Sequence, residues 1–167
     1  MTDAPLSPNT VVAFIADIFL RRGADSYLGE EVTMSEHMLQ GALLAQQAGA
    51  NDKLIAAVLL HDIGHYTNEF PEDALDRGID NHHDSAGAAV LEPYFPQTVV
   101  DCVRHHVAAK RYLCATDPDY FDRLSAASVH TLNLQGGPMT TDEVASFIKN
   151  SALEEIVQVR IWEDEGK

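Results

Sequence analysis

Adjacent metal-binding side chains occur at residues 61–65, which read His61-Asp62-Ile63-Gly64-His65 and follow the apolar run of residues 56–60. Burying a histidine and a carboxylate at the edge of a core is costly unless they have a partner, and a metal ion accepts both as ligands. Other helix-like segments carry five more histidines that could converge on the same centre: His37, His82, His83, His105 and His106. The pattern therefore predicts a metal centre built from several helices.

Two predicted helices position the first of these side chains. Residues 33–36, Thr-Met-Ser-Glu, have the spacing of a capping box, which places His37 in the first turn of a helix. Asn51 or Asp52 can cap the next helix, which ends at His61. A tight turn therefore links two helices that carry ligands.

The rest of the chain is also predicted to be helical. The pattern predicts further helices from Val11 to Arg22, from His82 to Pro93, over residues 98–109, from Asp117 onwards and over residues 153–162. Ser125, Ser128 and Thr131 recur at three-residue spacing and so share one helix face. Residues 67–81 are polar and are predicted to form a surface loop bordering a site entrance. With no strand-like alternation, repeat or linker, the sequence predicts one all-α helical bundle over residues 1–167.

Composition restricts the function classes. The formal net charge of -15 argues against a general cationic surface for nucleic acid. Cys102 and Cys114 do not form a disulfide framework, so the cytoplasm is the expected compartment. No apolar run approaches the roughly 20 residues of a membrane span, so we expect a soluble protein.

Three local motifs accompany the histidines: Tyr27-Leu28-Gly29-Glu30 ahead of His37, residues 106–113 with the sequence His-Val-Ala-Ala-Lys-Arg-Tyr-Leu, and Gln135-Gly136-Gly137-Pro138-Met139. The order of histidine, histidine-aspartate, two single histidines and a distal carboxylate resembles the HD-domain superfamily. With the three motifs, the chain most resembles the phosphonate-cleaving, mixed-valent di-iron oxygenases of that superfamily, which are relatives of myo-inositol oxygenase.

This resemblance implies two iron ions, Fe(II) and Fe(III), bridged by Asp62. The implied ligands are His37, His61, Asp62, His83, His106 and Glu163. His83 is chosen over His82, and His106 over His105, because of their motif contexts. The last ligand is open, because the family has Arg-x-Trp-Asp where this chain has Glu163 after Trp162, and Asp164 is a possible substitute.

The resemblance also implies the residues that bind the substrate. Lys110 and Arg160 correspond to cations that hold the phosphonate, and Ser128, Thr131 and His65 to hydrogen-bond donors for the same group. Tyr27 and Glu30 resemble a gating pair in which the tyrosine covers an iron position until the substrate arrives. The Glu30 carboxylate would also favour a cationic nitrogen on the substrate.

The implied reaction uses dioxygen to cleave the carbon–phosphorus bond of a small 1-hydroxyphosphonate that bears a 2-amino or 2-trimethylammonio group. The products would be phosphate and either glycine or glycine betaine. An HD-type phosphohydrolase would share His37, His61, Asp62 and Lys110, but it would not account for the motif from Tyr27 to Glu30. A third hypothesis is a non-catalytic, metal-dependent sensor or binding domain.

Overall fold

A computed structural model describes residues 6–27, 29–67 and 82–167. These ranges contain helices and turns, with a 3-10 turn at Phe121–Arg123 and one isolated β-bridge between Ser26 and Thr33. The helices are α1 Val11–Arg22, α2 Met34–Gln47, α3 Asp52–Leu60, α4 Gly64–Thr67, α5 His83–Leu91, α6 Gln97–Thr116, α7 Ala126–Leu134, α8 Thr141–Phe147 and α9 Leu153–Glu165. The predicted all-α class is confirmed.

Side-chain caps begin the helices where the sequence pattern indicates. In the capping box of α2, Thr33 Oγ1 accepts a hydrogen bond from Glu36 N at 3.2 Å, and Glu36 Oε2 accepts one from Thr33 N at 2.8 Å. Asn51 Oδ1 accepts a hydrogen bond from Leu54 N at 3.1 Å at the start of α3. Such caps satisfy backbone donors that have no partner within the helix, so these helix starts are determined locally.

The expected helix start at Asp117 is wrong. Helix α6 continues to Thr116, and α7 begins only at Ala126, after Ser125 as its N-cap. Asp117 Oδ1 instead accepts a hydrogen bond from Asp119 N at 3.0 Å, which is a local turn that competes with a helical cap. The loop predicted over residues 67–81 lies outside the described residues apart from Thr67, which ends α4.

Two buried apolar clusters surround the histidine segments. The first joins α2, α3, α6 and α9 through residues such as Val58, Cys102 and Ile156. The second joins α1, α2, α5 and α6 with the end of α3 and the segment after it, through residues such as Met38 and Val103. Because α2 and α6 contribute to both clusters, the helices that carry His37 and His106 are held on more than one side.

Helices α4 and α5 approach each other very closely. A Cβ atom added to Gly64 would lie 1.8 Å from the His83 carbonyl oxygen and 2.7 Å from Gly87 N. Gly64 and Gly87 therefore allow the segment after Asp62 to pack against the start of α5. Among the helices described, none combines the length and apolar character that a bilayer span requires. The assignment of residues 1–167 to a single domain stays a prediction.

Candidate metal centre

The Asp62 carboxylate lies between two pairs of imidazole rings. Asp62 Oδ2 is 3.2 Å from Nε2 of His61 and 3.6 Å from Nε2 of His37. On the other side, Asp62 Oδ1 is 3.2 Å from Nε2 of His83 and 3.3 Å from Nε2 of His106. All five side chains are buried. The Asp62 carboxylate thus belongs to both of two groups of three possible ligands, as a carboxylate that bridges two metal ions would.

Backbone carbonyl groups determine which ring nitrogens face the centre. Nδ1 of His61 donates to the Val58 carbonyl oxygen at 2.7 Å, and Nδ1 of His106 donates to that of Val103 at the same distance. In the neutral form of such a ring, Nε2 carries a lone pair that points inward. The second ring of each pair, His37 or His83, places its Nε2 atom 3.0 Å away. Facing nitrogens at this distance require a proton or a cation between them.

The electrostatic field of the cluster favours positive charge. Burial alone would lower the pKa of His61, but the carboxylates of Asp62 and Glu163 raise it to about 9. Burial and the nearby charge of His61 lower the pKa of His37 to about 3. The pair therefore retains a proton on one ring, at the position where a metal ion would place its charge.

Glu163 is the nearer of the two candidate carboxylates in α9. Its Oε1 atom lies 3.8 Å from His61 Nε2, and its buried Oε2 atom has no hydrogen-bond partner among the described residues. Asp164 instead accepts hydrogen bonds from Arg160 Nε at 3.0 Å and Lys167 Nζ at 3.2 Å. A buried carboxylate oxygen without a partner is costly, and a metal ion would satisfy it.

The donor set fits metal binding. Buried imidazole nitrogens and carboxylate oxygens suit iron and neighbouring transition metals, and the Glu163 oxygen still needs a partner. The predicted ligands His37, His61, Asp62, His83 and His106 converge, whereas His82 is exposed and His105 lies beside the Phe147 ring. Their convergence supports metal use.

Tyr27 lies at the same centre and Glu30 lines the adjoining pocket, although both come from the segment between α1 and α2. The Tyr27 hydroxyl donates a hydrogen bond to Asp62 Oδ2, and its ring stacks on that of His37 with centroids 4.0 Å apart. Burial, together with the charges of Asp62 and Glu163, raises the pKa of Tyr27 well above its usual value. The Glu30 carboxylate accepts a hydrogen bond from Ser125 Oγ, and Leu28 lies outside the described residues.

A pocket opens onto the Asp62 side of the centre. It is lined by Tyr27, Glu30, Asp62, His65, His83, His106, Val107, Lys110, Ala127, Ser128, Thr131, Gln135, Arg160, Glu163 and Lys167. All five residues predicted to bind the substrate belong to this lining. The His65 ring stacks on that of His83 with centroids 3.9 Å apart, which places it directly beside a ligand candidate.

Lys110 is a buried cation in the pocket wall. Its Nζ atom donates a hydrogen bond to Thr131 Oγ1 at 2.8 Å, and the residue is 3% exposed. Burial and the charges of Arg160 and Lys167 lower its pKa to about 7. An ammonium group held in this way gains from the arrival of an anion.

Arg160 is bound by acidic side chains of its own helix. Its Nη1 atom donates to Glu163 Oε1 at 2.5 Å, and its Nη2 atom donates to Asp164. Its Nε atom donates to both Asp164 Oδ2 and the Tyr120 hydroxyl at 3.0 Å. The guanidinium group therefore orients Glu163, in addition to lining the pocket.

Two of the sequence motifs contact each other through Arg111. Arg111 Nε donates to the Gly137 carbonyl oxygen at 2.8 Å, and Met139 N donates to the Arg111 carbonyl oxygen at 3.1 Å. Gly136 and Gly137 have φ values of 96° and 72°, which side chains other than glycine rarely adopt. The glycine motif therefore shapes the turn after α7, next to the pocket residue Gln135.

Sequence reasoning missed four contributors to the site. Lys167 lines the pocket, and its position four residues after Glu163 on the α9 pattern was the signal that could have identified it. Gln135 was noticed only as part of a local motif and was given no role of its own, and Tyr120 belonged to no motif. The Gly166 carbonyl oxygen, 3.4 Å from His37 Nδ1, is a backbone group for which no sequence signal exists.

The chain is similar to a known protein family and to several known proteins. A family model described as HD domain matches residues 34–132. The chain is 56% identical to the glycine-betaine-forming 1-hydroxy-2-(trimethylamino)ethylphosphonate dioxygenase of Leisingera caerulea, over 97% of this chain and 83% of the relative. It is 43% identical to the hydroxymethylphosphonate dioxygenase of Gimesia maris, over 85% of this chain and 71% of the relative. An uncharacterised protein of Acanthamoeba polyphaga mimivirus is 33% identical over 92% of this chain and 71% of its own length.

Proposed function

The chain belongs to the HD-domain family, and from this premise we propose that it is a dioxygenase that cleaves the carbon–phosphorus bond of a small 1-hydroxyphosphonate. The proposed substrate bears a 2-trimethylammonio or 2-amino group, and the products are phosphate and glycine betaine or glycine. The 56% identity to a glycine-betaine-forming dioxygenase makes the trimethylated compound the first to test.

The observation that carries the proposal is the position of Asp62 between two histidine pairs, at the base of a pocket lined by cations. We propose that His37, His61, Asp62, His83, His106 and Glu163 hold two irons as an Fe(II)/Fe(III) pair. When bound, the irons would supply electrons and open coordination positions for dioxygen and a chelating substrate. The protein would supply the shape and charge of the site.

Lys110, Ser128 and Thr131 are assigned to the phosphonate group. The Lys110 ammonium group and the Thr131 hydroxyl already meet at 2.8 Å, and Ser128 lies one helical turn away on the same wall. An incoming dianion would receive charge-assisted hydrogen bonds from this wall. His65 lines the same pocket beside His83 and is assigned as a further donor.

The main role that we propose for Arg160 differs from the one expected. We assign it to the orientation of Glu163 through the 2.5 Å contact, with substrate binding as a second role, because both Glu163 and Asp164 already accept its hydrogen bonds. Its positive charge still adds to the attraction of the pocket for an anion.

Tyr27 and Glu30 are assigned to substrate entry and recognition. The Tyr27 hydroxyl contacts Asp62 directly, so a substrate that reaches the centre must change the environment of the tyrosine. The Glu30 carboxylate lines the pocket and would lie near a cationic nitrogen. Both residues distinguish an oxygenase from its hydrolytic relatives.

The reaction balances without another reductant. One hydroxyphosphonate and one dioxygen give one carboxylic acid and one phosphate, because the hydroxyl-bearing carbon is oxidised and the phosphonate leaves with an added oxygen.

We include a cytoplasmic location in the proposal, and its support is that Cys102 and Cys114 are free.

The decisive experiment loads the protein with iron without oxygen and then adds 1-hydroxy-2-(trimethylammonio)ethylphosphonate. Phosphate and glycine betaine should appear in equal amounts only after oxygen is admitted. Phosphate release from phosphate esters without oxygen would instead assign a hydrolase. Binding without turnover of any hydroxyphosphonate would assign a sensor.

A further inference from the structure

We infer that Tyr120 is a positioning residue of the metal centre, which acts through Arg160 to hold the Glu163 carboxylate in an orientation that can bind a metal ion. The inference rests on the proposed function in one respect, because it takes Glu163 as a metal ligand. Tyr120 belongs to no sequence motif and lies outside the lining of the pocket, so direct contact with the substrate is not its role.

The Tyr120 hydroxyl group connects two side chains of α9. It accepts a hydrogen bond from Arg160 Nε at 3.0 Å and donates one to Asp164 Oδ2. Tyr120 is 4% exposed and Arg160 is 3% exposed, so water has little access to replace the bond between them. In the described part of the chain, the other hydrogen bonds of the guanidinium group go to Glu163 and Asp164, which belong to α9 itself. Tyr120 therefore fixes Arg160 relative to a different part of the fold.

The position of Arg160 determines the orientation of Glu163. Two carboxylates compete for the guanidinium group, because Nη1 donates to Glu163 Oε1 at 2.5 Å while Nη2 and Nε donate to Asp164. The donors of a planar guanidinium group have fixed relative directions, so a partner that holds Nε also directs Nη1. With Oε1 held, the buried Oε2 atom of Glu163 has no partner among the described residues and stays available to a metal ion. Without the Tyr120 hydroxyl, Asp164 would lose a donor and draw Arg160 away from Glu163.

Local contacts hold the turn that carries Tyr120. Tyr120 N donates to the Asp117 carbonyl oxygen at 3.2 Å, and Arg123 N donates to the Tyr120 carbonyl oxygen at 3.1 Å. The Arg123 guanidinium group pairs with the Asp117 carboxylate at 3.0 Å, and its central carbon lies 6.0 Å from the centre of the Tyr120 ring. The turn that takes the place of the expected helix start at Asp117 therefore presents the Tyr120 hydroxyl to α9.

The test measures Fe(II) binding by the full-length protein, freed of metal and kept without oxygen, in competition with a coloured chelator. In Tyr120→Phe, the affinity for one Fe(II) ion should fall by about tenfold, as changes to the outer partners of metal ligands do. The affinity for the second ion, which the group of Asp62, His83 and His106 would hold, should stay within about twofold of the wild type.

Tyr94→Phe is the matched control, because it also removes a tyrosine hydroxyl that donates a hydrogen bond. Its partner is the Leu6 carbonyl oxygen, at 2.7 Å, so the bond does not involve α9. Both Fe(II) affinities of Tyr94→Phe should stay within about twofold of the wild type. The melting temperatures of the metal-free variants show whether each fold is intact.

A double-mutant cycle separates the positioning of Glu163 from a purely structural role. Glu163→Gln should weaken the same ion as Tyr120→Phe, because the amide carries no charge for the metal or for Arg160. Adding Tyr120→Phe to Glu163→Gln should change that affinity by less than about twofold, because no carboxylate is left to orient. A structural role would give the same tenfold loss in both backgrounds. If Glu163→Gln does not bind that ion at all, the comparison of the two ions in Tyr120→Phe decides alone.

Four results would overturn the inference. They are unchanged affinities for both ions in Tyr120→Phe, equal losses for both ions, a loss that persists in full in the Glu163→Gln background, and a wild type that binds no Fe(II).

Because the test needs no turnover, the reaction and the role of Tyr120 can fail separately. If no hydroxyphosphonate is converted but Tyr120→Phe weakens one ion, the proposed reaction is wrong and the positioning role stands. If the trimethylated substrate is converted while Tyr120→Phe leaves both Fe(II) affinities unchanged, the reaction stands and the positioning role is wrong.

Discussion

At the scale of single residues, Asp62 is the side chain on which the centre depends. Its two oxygens face different histidine pairs, at 3.2 Å from both His61 and His83. No other described carboxylate contacts both pairs in this way, because Glu163 approaches only the His61 side. A residue that joins two groups of ligands should affect both when it is changed.

Replacing Asp62 with alanine should remove metal and activity together. We expect metal content, measured by elemental analysis after loading and desalting, to fall by about tenfold or more, since even outer partners of metal ligands affect affinity by 10- to 100-fold. His105→Ala is the matched control, because His105 lies beside Phe147 and should not affect metal content. Near-normal metal in Asp62→Ala would contradict a bridged pair.

Lys110 should make phosphonate binding depend on pH. Its pKa is lowered from the ordinary 10.5 to about 7, chiefly by burial, so the free protein loses this positive charge as the pH rises through 7. The affinity advantage of the wild type over Lys110→Ala should therefore decline above pH 7, by at most about tenfold per pH unit.

Lys110→Arg provides the control, because a guanidinium group stays charged throughout this range. Measuring methylphosphonate affinity for the three proteins between pH 6 and 9 cancels the titration of the ligand itself. A constant ratio of wild-type to Lys110→Ala affinity would show that Lys110 does not lose its charge in this range.

At the scale of elements, the contact between α4 and α5 brings the segment after Asp62 close to His83. Gly64 permits this contact because its missing Cβ would lie 1.8 Å from the His83 carbonyl oxygen. A clash with backbone cannot be relieved by turning a side chain. The two short helices would have to separate, and His65 and His83 would move with them.

Gly64→Ala should therefore lower the free energy of unfolding by about 3 kcal/mol or more, measured by denaturant unfolding. Gly41→Ala is the matched control, because its new Cβ would meet mainly the end of the Val58 side chain, at 2.8 Å. That variant should lose clearly less stability. Equal losses would mean that backbone packing of α4 on α5 is not the cause.

At the scale of the whole molecule, the centre connects distant parts of the chain. Its candidate ligands come from α2, the end of α3, α5, α6 and α9, and most of them are buried between the two apolar clusters. Bound metal would therefore stabilise the packed arrangement rather than one helix.

Removing the metal with a chelator should lower the melting temperature by about 5 °C or more. Ligand present at 100 times its Kd contributes about 2.7 kcal/mol, and 1 kcal/mol shifts the melting temperature of a chain of this size by about 2–4 °C. His61→Ala should show a smaller change on chelation, since one of the two groups of candidate ligands has lost a member. If the melting temperature of the wild type is the same with and without the chelator, the stability of the fold does not depend on the metal.

The sequence by itself predicted most of the helices and the residue types that could bind a metal ion. The caps at Thr33, Asn51 and Thr140 act over three residues, so they can be read locally, and the order of histidines with the three motifs indicated the family. The false helix start at Asp117 shows the limit of such signals, because the same side chain can form a turn.

Only the tertiary structure decided which side chains meet. The sequence left Glu163 and Asp164 open, and the choice between them depends on the rotation of α9 against His61 and Lys167, which is set by packing. The same packing turned Arg160 towards Glu163 and brought Lys167 to Ser128, 39 residues away in the chain. Contacts between distant residues depend on the packing of whole helices, and local sequence patterns do not encode that packing.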